Sequence, residues 1–213
     1  MATVWAVVVA GGSGQRFGQL KQFALLAERP VVEWAVAACR PSSSGVVLVV
    51  PKGSALDTAH GADVVVEGGV SRAESVRFGL AAVPDEAEVI IVHDAARPLA
   101  SDALFRSVIA AVAVEGTGGA IPGVPVSDTI KVVDGTSTVT ATLDRAALVA
   151  VQTPQAFGAA LLRRAHAAGG EATDDAALVE ALGATVRVVP GDPRNLKITT
   201  PADLGTAERL LRG

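Results

Sequence analysis

Two features of the chain could do chemistry on an anion. The first is "AGGSGQRFGQLKQF", Ala10 to Phe23, where Gly11, Gly12 and Gly14 follow the β-branched run Thr3–Ala10 and Arg16 and Lys21 come after them. A glycine cluster lets backbone N–H groups converge on phosphate oxygens, and cations beyond it can neutralise the charge. The same residues also read as an ordinary tight turn with two solvated cations. The second feature is Asp94 in "IIVHDAARP", a carboxylate at the end of an apolar strand. Ligands of parallel α/β sheets gather beyond the carboxyl ends of the strands, although an aspartate there could also cap a helix or loop. His93 alternates to the opposite face of that strand and reads as structural.

Two familiar phosphate motifs fail. From Gly12 the chain runs G-S-G-Q-R-F, with Phe17 where a dinucleotide fingerprint needs a small residue, and Val46–Val50 is followed by Pro51 and Lys52 rather than by an acid for a ribose hydroxyl. No G-x-x-x-x-G-K-S/T run exists. A backbone cradle flanked by Arg16 and Lys21 and a plain turn both remain open.

The elements that must position these residues are legible as apolar runs. Thr3–Ala10, Val46–Val50, Asp63–Val66, Val89–Val92, Gly119–Ile121 and Val186–Val189 are continuous rather than alternating, with alanine- and leucine-rich helical stretches between them. Strands buried on both faces and separated by helices imply a doubly wound, mostly parallel α/β sheet. "SRAE" at Ser71–Glu74 reads as a capping box, "TPAD" at Thr200–Asp203 puts proline at a first helical position, and "TDDAA" at Thr173–Ala177 puts acids in a first turn, with Thr173 as the cap. Val124–Leu143 breaks the rhythm: rich in valine and threonine with "DG" at its middle, it predicts a projecting β-hairpin arm. A lone ribbon is only marginally stable, so it must pack on the body or on another subunit.

Composition bounds the function. The 213 residues are 50% hydrophobic and 19% charged, enough for a real core in a single domain, 1–213, with the arm at 124–143. A net charge of −4 and 3% aromatic residues argue against a nucleic-acid surface. Mean hydropathy is +0.43, yet no run approaches the ~18 apolar residues of a membrane span. Nothing at the N-terminus reads as a signal peptide, so a cytoplasmic protein without membrane attachment is expected. The single cysteine, Cys39, excludes an internal disulfide and reads as a small core residue.

The opening loop resembles the nucleotide-binding signature of the sugar nucleotidyltransferases. The blocks "GGVSRAESVRFGL" (Gly68–Leu80), "VHDAARP" (Val92–Pro98), "PVSDTIK" (Pro125–Lys131), "LDR" (Leu143–Arg145), "QTPQAF" (Gln152–Phe157), "ATDDAALVE" (Ala172–Glu180) and "NLKIT" (Asn195–Thr199) narrow the resemblance. In that order, over nearly the whole chain, the set is similar to the 2-C-methyl-D-erythritol 4-phosphate cytidylyltransferase family. The resemblance implies transfer of a cytidylyl group from CTP to a polyol phosphate, with Mg²⁺ accompanying the nucleotide. It implies Arg16, Lys21, Asp94 and Lys197 as catalytic residues and Asp94 as a metal contact. Ala10, Gly11, Gly12, Gly14, Gly68, Gly69, Arg72, Ser75 and Ala95 would bind CTP. Arg97, Thr129, Arg145, Thr173 and Lys197 would bind the acceptor, with Thr129 and Arg145 reaching the partner's site in a homodimer joined through the arm. Ser71 and Glu74 remain a cap only.

Two departures stand out. Leu20 precedes Lys21 where relatives carry a proline, and Val70 stands where many have a polar residue. Ribitol 5-phosphate is the nearest rival acceptor, and a non-catalytic nucleotide-binding protein is the alternative of a different class. The chain stops at Gly213 just after its final helical stretch, so a fused cyclase domain is not expected.

Overall fold

Strand one is apolar along its length because helices cover it on both sides. The computed structural model describes residues 2–11, 21–54, 59–170 and 172–212. In chain order, β1 (Val4–Val9) is followed by a ribbon of β2 (Leu25–Leu26) and β3 (Arg29–Pro30), then α1 (Val31–Cys39), β4 (Gly45–Val50), β5 (Val64–Glu67), α2 (Arg72–Ala81), β6 (Val89–Asp94), α3 (Asp102–Val112) and β7 (Gly119–Pro125). The remainder carries β8 (Lys131–Val133), β9 (Val139–Thr142), β10 (Val149–Val151), β11 (Gln155–Gly158), α4 (Ala159–Ala167), α5 (Asp175–Ala181), β12 (Val186–Pro190) and α6 (Pro201–Arg212).

Among the described residues, eight strands form one sheet, with β1 between β6 and β4, β5 beyond β4, and β11 and β7 beyond β6. The pairs β1–β4, β1–β6, β4–β5 and β7–β12 are parallel, whereas β10 and β11 run antiparallel to their neighbours. Alternate residues of the central strands feed two cores. Ala6, Val8, Val46 and Leu48 pack with Val32 of α1 and Phe105 of α3; Val7, Val47 and Val49 pack with Val76 of α2, Leu162 of α4 and Val179 of α5. A third cluster, Leu26, Val31, Ile198 and Ala207, fixes α6 and the segment next to Lys197. The expected mostly parallel α/β sheet is therefore present, and Cys39 is a fully buried core residue whose thiol burial pushes up, out of reach of ionisation.

One local expectation needs correction. Asp174, not Thr173, caps α5, its carboxylate accepting from the Ala177 N–H. Ser71 caps α2 by accepting from the Glu74 N–H, and the Glu74 carboxylate accepts from the Val70 N–H at 2.6 Å. Strand β8 pairs antiparallel with β9, and in the connection from Asp134 to Thr138 the Asp134 carboxylate accepts from the N–H groups of Thr136 and Thr138. Both arm strands are exposed along their length, with Val133 and Val139 at 56% and 55%.

Candidate active site

The carboxyl ends of β1 and β6 lie side by side, Val9 in register with Asp94, so the segment after β1 and the segment after β6 open onto one edge. A cavity of about 350 Å³ sits there, lined by Ala10, Gly11, Gly69, Val70, Arg72, Ser75, Asp94, Ala95 and Lys197 among others. A second, of about 270 Å³, is lined by Arg97, Gln152, Thr153, Gln155, Thr173 and Asp174, and shares Arg72, Asp94 and Lys197 with the first. Those three side chains therefore form the common wall of two adjoining pockets.

The wall is built of paired charges. Lys197 Nζ donates to Asp94 Oδ2 at 2.6 Å, and Nε and Nη2 of Arg72 both face Asp94 Oδ1 at 3.4 Å. Burial by itself would raise the Asp94 carboxyl, but Arg72 and Lys197 outweigh it and hold the group well below the usual carboxylate range. Arg72 is gripped at its other end, where Nη1 donates to Asp175 Oδ2 at 2.8 Å. Its own burial works against the cation, and the two aspartates reverse that and raise it.

Asp94 is also oriented from behind. Its backbone N–H donates to Thr153 Oγ1, which stands 3.1 Å from His93 Nδ1, while His93 Nε2 lies 3.1 Å from the Arg97 carbonyl. Gln152 and Asn195 knit the turn before β11 to the segment carrying Lys197: Gln152 donates to the carbonyls of Asp192 and Asn195, and Asn195 donates to the Thr153 carbonyl at 2.9 Å. Gln152, Thr153 and Asn195 fall within the blocks "QTPQAF" and "NLKIT", but their partners are some forty to sixty positions away, so no local pattern reveals their work.

On the first pocket's floor the backbone comes very close to Ser75. Its hydroxyl accepts from the Gly69 N–H and donates to the Ser71 carbonyl, and a Cβ at Gly68 would stand 2.8 Å from that hydroxyl and 3.1 Å from the Val50 carbonyl. Gln22, buried one position after Lys21, donates to the Ala10 carbonyl at 2.7 Å and ties the 3₁₀ turn Lys21–Phe23 to the end of β1. Val70 is almost wholly exposed on the pocket's rim.

The structure thus brings together Ala10, Gly11, Gly69, Arg72, Ser75, Asp94, Ala95 and Lys197 at the first pocket, with Gly68 directly beneath, and Arg97 and Thr173 at the second. Arg97 is already engaged, donating to the carbonyls of Asn195 and Val151. Thr129 and Arg145 are exposed at the base of the arm and line neither pocket; Arg145 donates to the Ser127 carbonyl. Gly12, Gly14 and Arg16 lie outside the described residues, as does the side chain of Lys21. Among the described residues no cluster of three or more His, Cys, Asp or Glu could hold a metal ion. No helix among them is long and apolar enough to cross a membrane.

Comparison with known proteins identifies the family. The family model described as "IspD: 2-C-methyl-D-erythritol 4-phosphate cytidylyltransferase" matches residues 4–213. The protein of that name from Nocardia farcinica is 46% identical over 218 residues, covering 98% of this chain and 94% of the relative. The crystal structure of 2-C-methyl-D-erythritol 4-phosphate cytidylyltransferase from Thermus thermophilus superposes with a TM-score of 0.80 at 38% identity, covering 97% of this chain and 98% of that one. That of 4-diphosphocytidyl-2C-methyl-D-erythritol synthase from Anaerococcus prevotii gives 0.84 at 29% identity, covering 100% and 99%. Matched from its first strand onward by sequence and by fold alike, the chain belongs to the 2-C-methyl-D-erythritol 4-phosphate cytidylyltransferase family.

Proposed function

We propose that the protein transfers a cytidylyl group from CTP to 2-C-methyl-D-erythritol 4-phosphate in non-mevalonate isoprenoid precursor synthesis. The observation that carries this reading is the Arg72–Asp94–Lys197 wall shared by two adjoining pockets, and on this reading each pocket takes one substrate. A phosphate oxygen of the acceptor attacks the α-phosphorus of CTP, the bond to the β-phosphate oxygen breaks, and pyrophosphate leaves. The acceptor phosphate is already anionic near neutral pH, so no base is required, and the protein's task is positioning and charge neutralisation. Lys197 and Arg72, held at the junction, meet the reacting phosphates from the wall. Arg16 and Lys21 neutralise the triphosphate from the glycine loop.

Asp94 suits a Mg²⁺ ion that arrives with the nucleotide, since this ion is ordinarily held by one or two carboxylates plus substrate phosphates. When bound it would offset charge on the phosphate oxygens; the chain's part is to present Asp94 as an anion, fixed by Arg72 and Lys197. The Ser75 hydroxyl holds the Gly68–Gly69 backbone against the cytosine, and Arg97 and Thr173 face the acceptor. The exposed apolar arm packs on a second copy, bringing Thr129 and Arg145 to the partner's acceptor pocket. The protein works in the cytoplasm.

Pyrophosphate release with CTP and Mg²⁺ tests the reading, with methylerythritol 4-phosphate and ribitol 5-phosphate offered in parallel. Turnover is expected with the first alone and should fall by ~10²–10³-fold in Lys21→Ala. Turnover with ribitol phosphate instead would move the acceptor, and none with either would leave a nucleotide-binding protein.

A further inference from the structure

Beyond Arg72 the charge network continues away from both pockets. Asp175, 1% exposed in the first turn of α5, presents Oδ2 to Arg72 and Oδ1 to His166 Nε2 at 2.9 Å. His166 is buried in the last turn of α4, a helix packed against both α2 and α5. Its Nδ1 is buried and has no hydrogen-bond partner among the described residues. A carboxylate oxygen can only accept, so the imidazole carries its proton on Nε2 and donates it to Asp175. A carboxylate held at one oxygen can swing about its χ2; one held at both cannot. Asp94 is fixed in the same manner, by Lys197 on one oxygen and Arg72 on the other. His166, Asp175, Arg72, Asp94 and Lys197 therefore form one chain of contacts, and His166 is the terminal member at the end remote from the pockets.

We infer that His166 is a positioning residue for the transfer reaction, acting through Asp175 to set where the Arg72 guanidinium stands on the wall between the two pockets. This rests on the function proposed above. Without the imidazole donor, Asp175 Oδ1 would be a buried acceptor lacking its partner, and the carboxylate would turn to find another. Arg72 would follow it and leave Asp94 held by Lys197 alone. Because Arg72 is itself in the site, a displacement of about 1 Å is enough to slow the chemical step while the substrates still bind.

The test compares His166→Leu, which fills the space without a donor, with His166→Gln, whose amide nitrogen can replace Nε2. The Leu variant is expected to lose about tenfold in kcat, with KM for CTP little changed and activity corrected for the folded fraction, and the Gln variant to recover most of the loss. In an Asp175→Asn background, His166→Leu should add no further loss. Wild-type kcat in the Leu variant, or equal losses in Leu and Gln, would overturn the inference. NMR of the unliganded protein separates it from the functional reading. Imidazole ¹⁵N shifts should report the Nε2–H tautomer, and exchange of the Arg72 guanidinium protons should quicken in His166→Leu. An Nδ1–H tautomer or unchanged Arg72 exchange would sink the positioning role whether or not any acceptor is turned over. A network that behaves as expected in a protein that releases no pyrophosphate would count against the proposed reaction alone.

Discussion

Thr153 shows how a single hydroxyl can make a histidine's protonation state matter. It accepts from the Asp94 N–H and so has one proton of its own to give, which goes to His93 Nδ1; His93 Nε2–H then donates to the Arg97 carbonyl. The chain has one consistent direction, and a second proton on His93 would reverse its middle link. Burial first of all, with Asp94 only partly opposing it, lowers the His93 value to about 4. Between the unfolded value of about 6.5 and the folded one, the unfolded chain binds more protons, so folding stability rises with pH across that window. His93 is 0% exposed, and the window corresponds to about 3 kcal/mol lost from pH 6.5 down to pH 4. Asp94 is shifted the same way but lower, so its contribution is lost only below the unfolded carboxylate value of about 3.9. Urea titrations of the wild type and His93→Gln at pH 7 and 4.5 should show a steep fall in the wild type and a shallower one in the variant. Parallel falls would mean that other groups set the slope.

At the scale of elements, the segment from β5 to α2 works because two glycines let the backbone lie against Ser75. Gly68→Ala should cost about 1–3 kcal/mol, since one of the atoms its Cβ meets is the Val50 carbonyl, which cannot move aside. KM for CTP should rise with it as Ser75 is pushed from the Gly69 N–H; a variant with unchanged stability and KM would show that the loop yields freely. This segment was readable in advance because cap, glycines and serine lie within eight residues. The parallel strands were readable too, since both faces carry valine and isoleucine. Strands β10 and β11 were not: at three and four residues, separated by Gln152–Pro154, they carry no sustained period, and only their pairing on β7 and β6 defines them. The α5 cap was misplaced by one residue because Thr173 and Asp174 are both good caps, and Asp174 is also engaged by Gln155 Nε2. His166 and Asp175 stayed invisible for a different reason. A histidine and an acid on consecutive helices look like two solvent-facing side chains until the packing of α4 on α5 buries them, and Asp175 meets Arg72 from 103 positions away.

At the scale of the molecule, the reading proposed above makes each site depend on a second copy of the chain. The arm holds Val132, Val133, Val139 and Leu143 in water, and the residues at its base, Thr129 and Arg145, touch neither pocket of their own chain. A two-stranded ribbon is only marginally stable by itself, and in the proposed dimer a two-fold axis would let each arm complete the other's site. Mixing inactive variants separates shared sites from independent ones. Lys21→Ala disables the body of a site and Arg145→Ala the arm. If arms are exchanged, a mixed dimer has one site combining both defects and one combining an intact body with an intact arm. Random reassortment then restores about a quarter of wild-type activity, because half the dimers are mixed and half of their sites are whole. If each arm serves its own chain, every site in the mixture carries one defect and the activity stays at the level of the parents. The same preparation at low concentration adds a second readout: dilution through the dimer dissociation range should reduce activity per chain in the shared arrangement and leave it constant in the other.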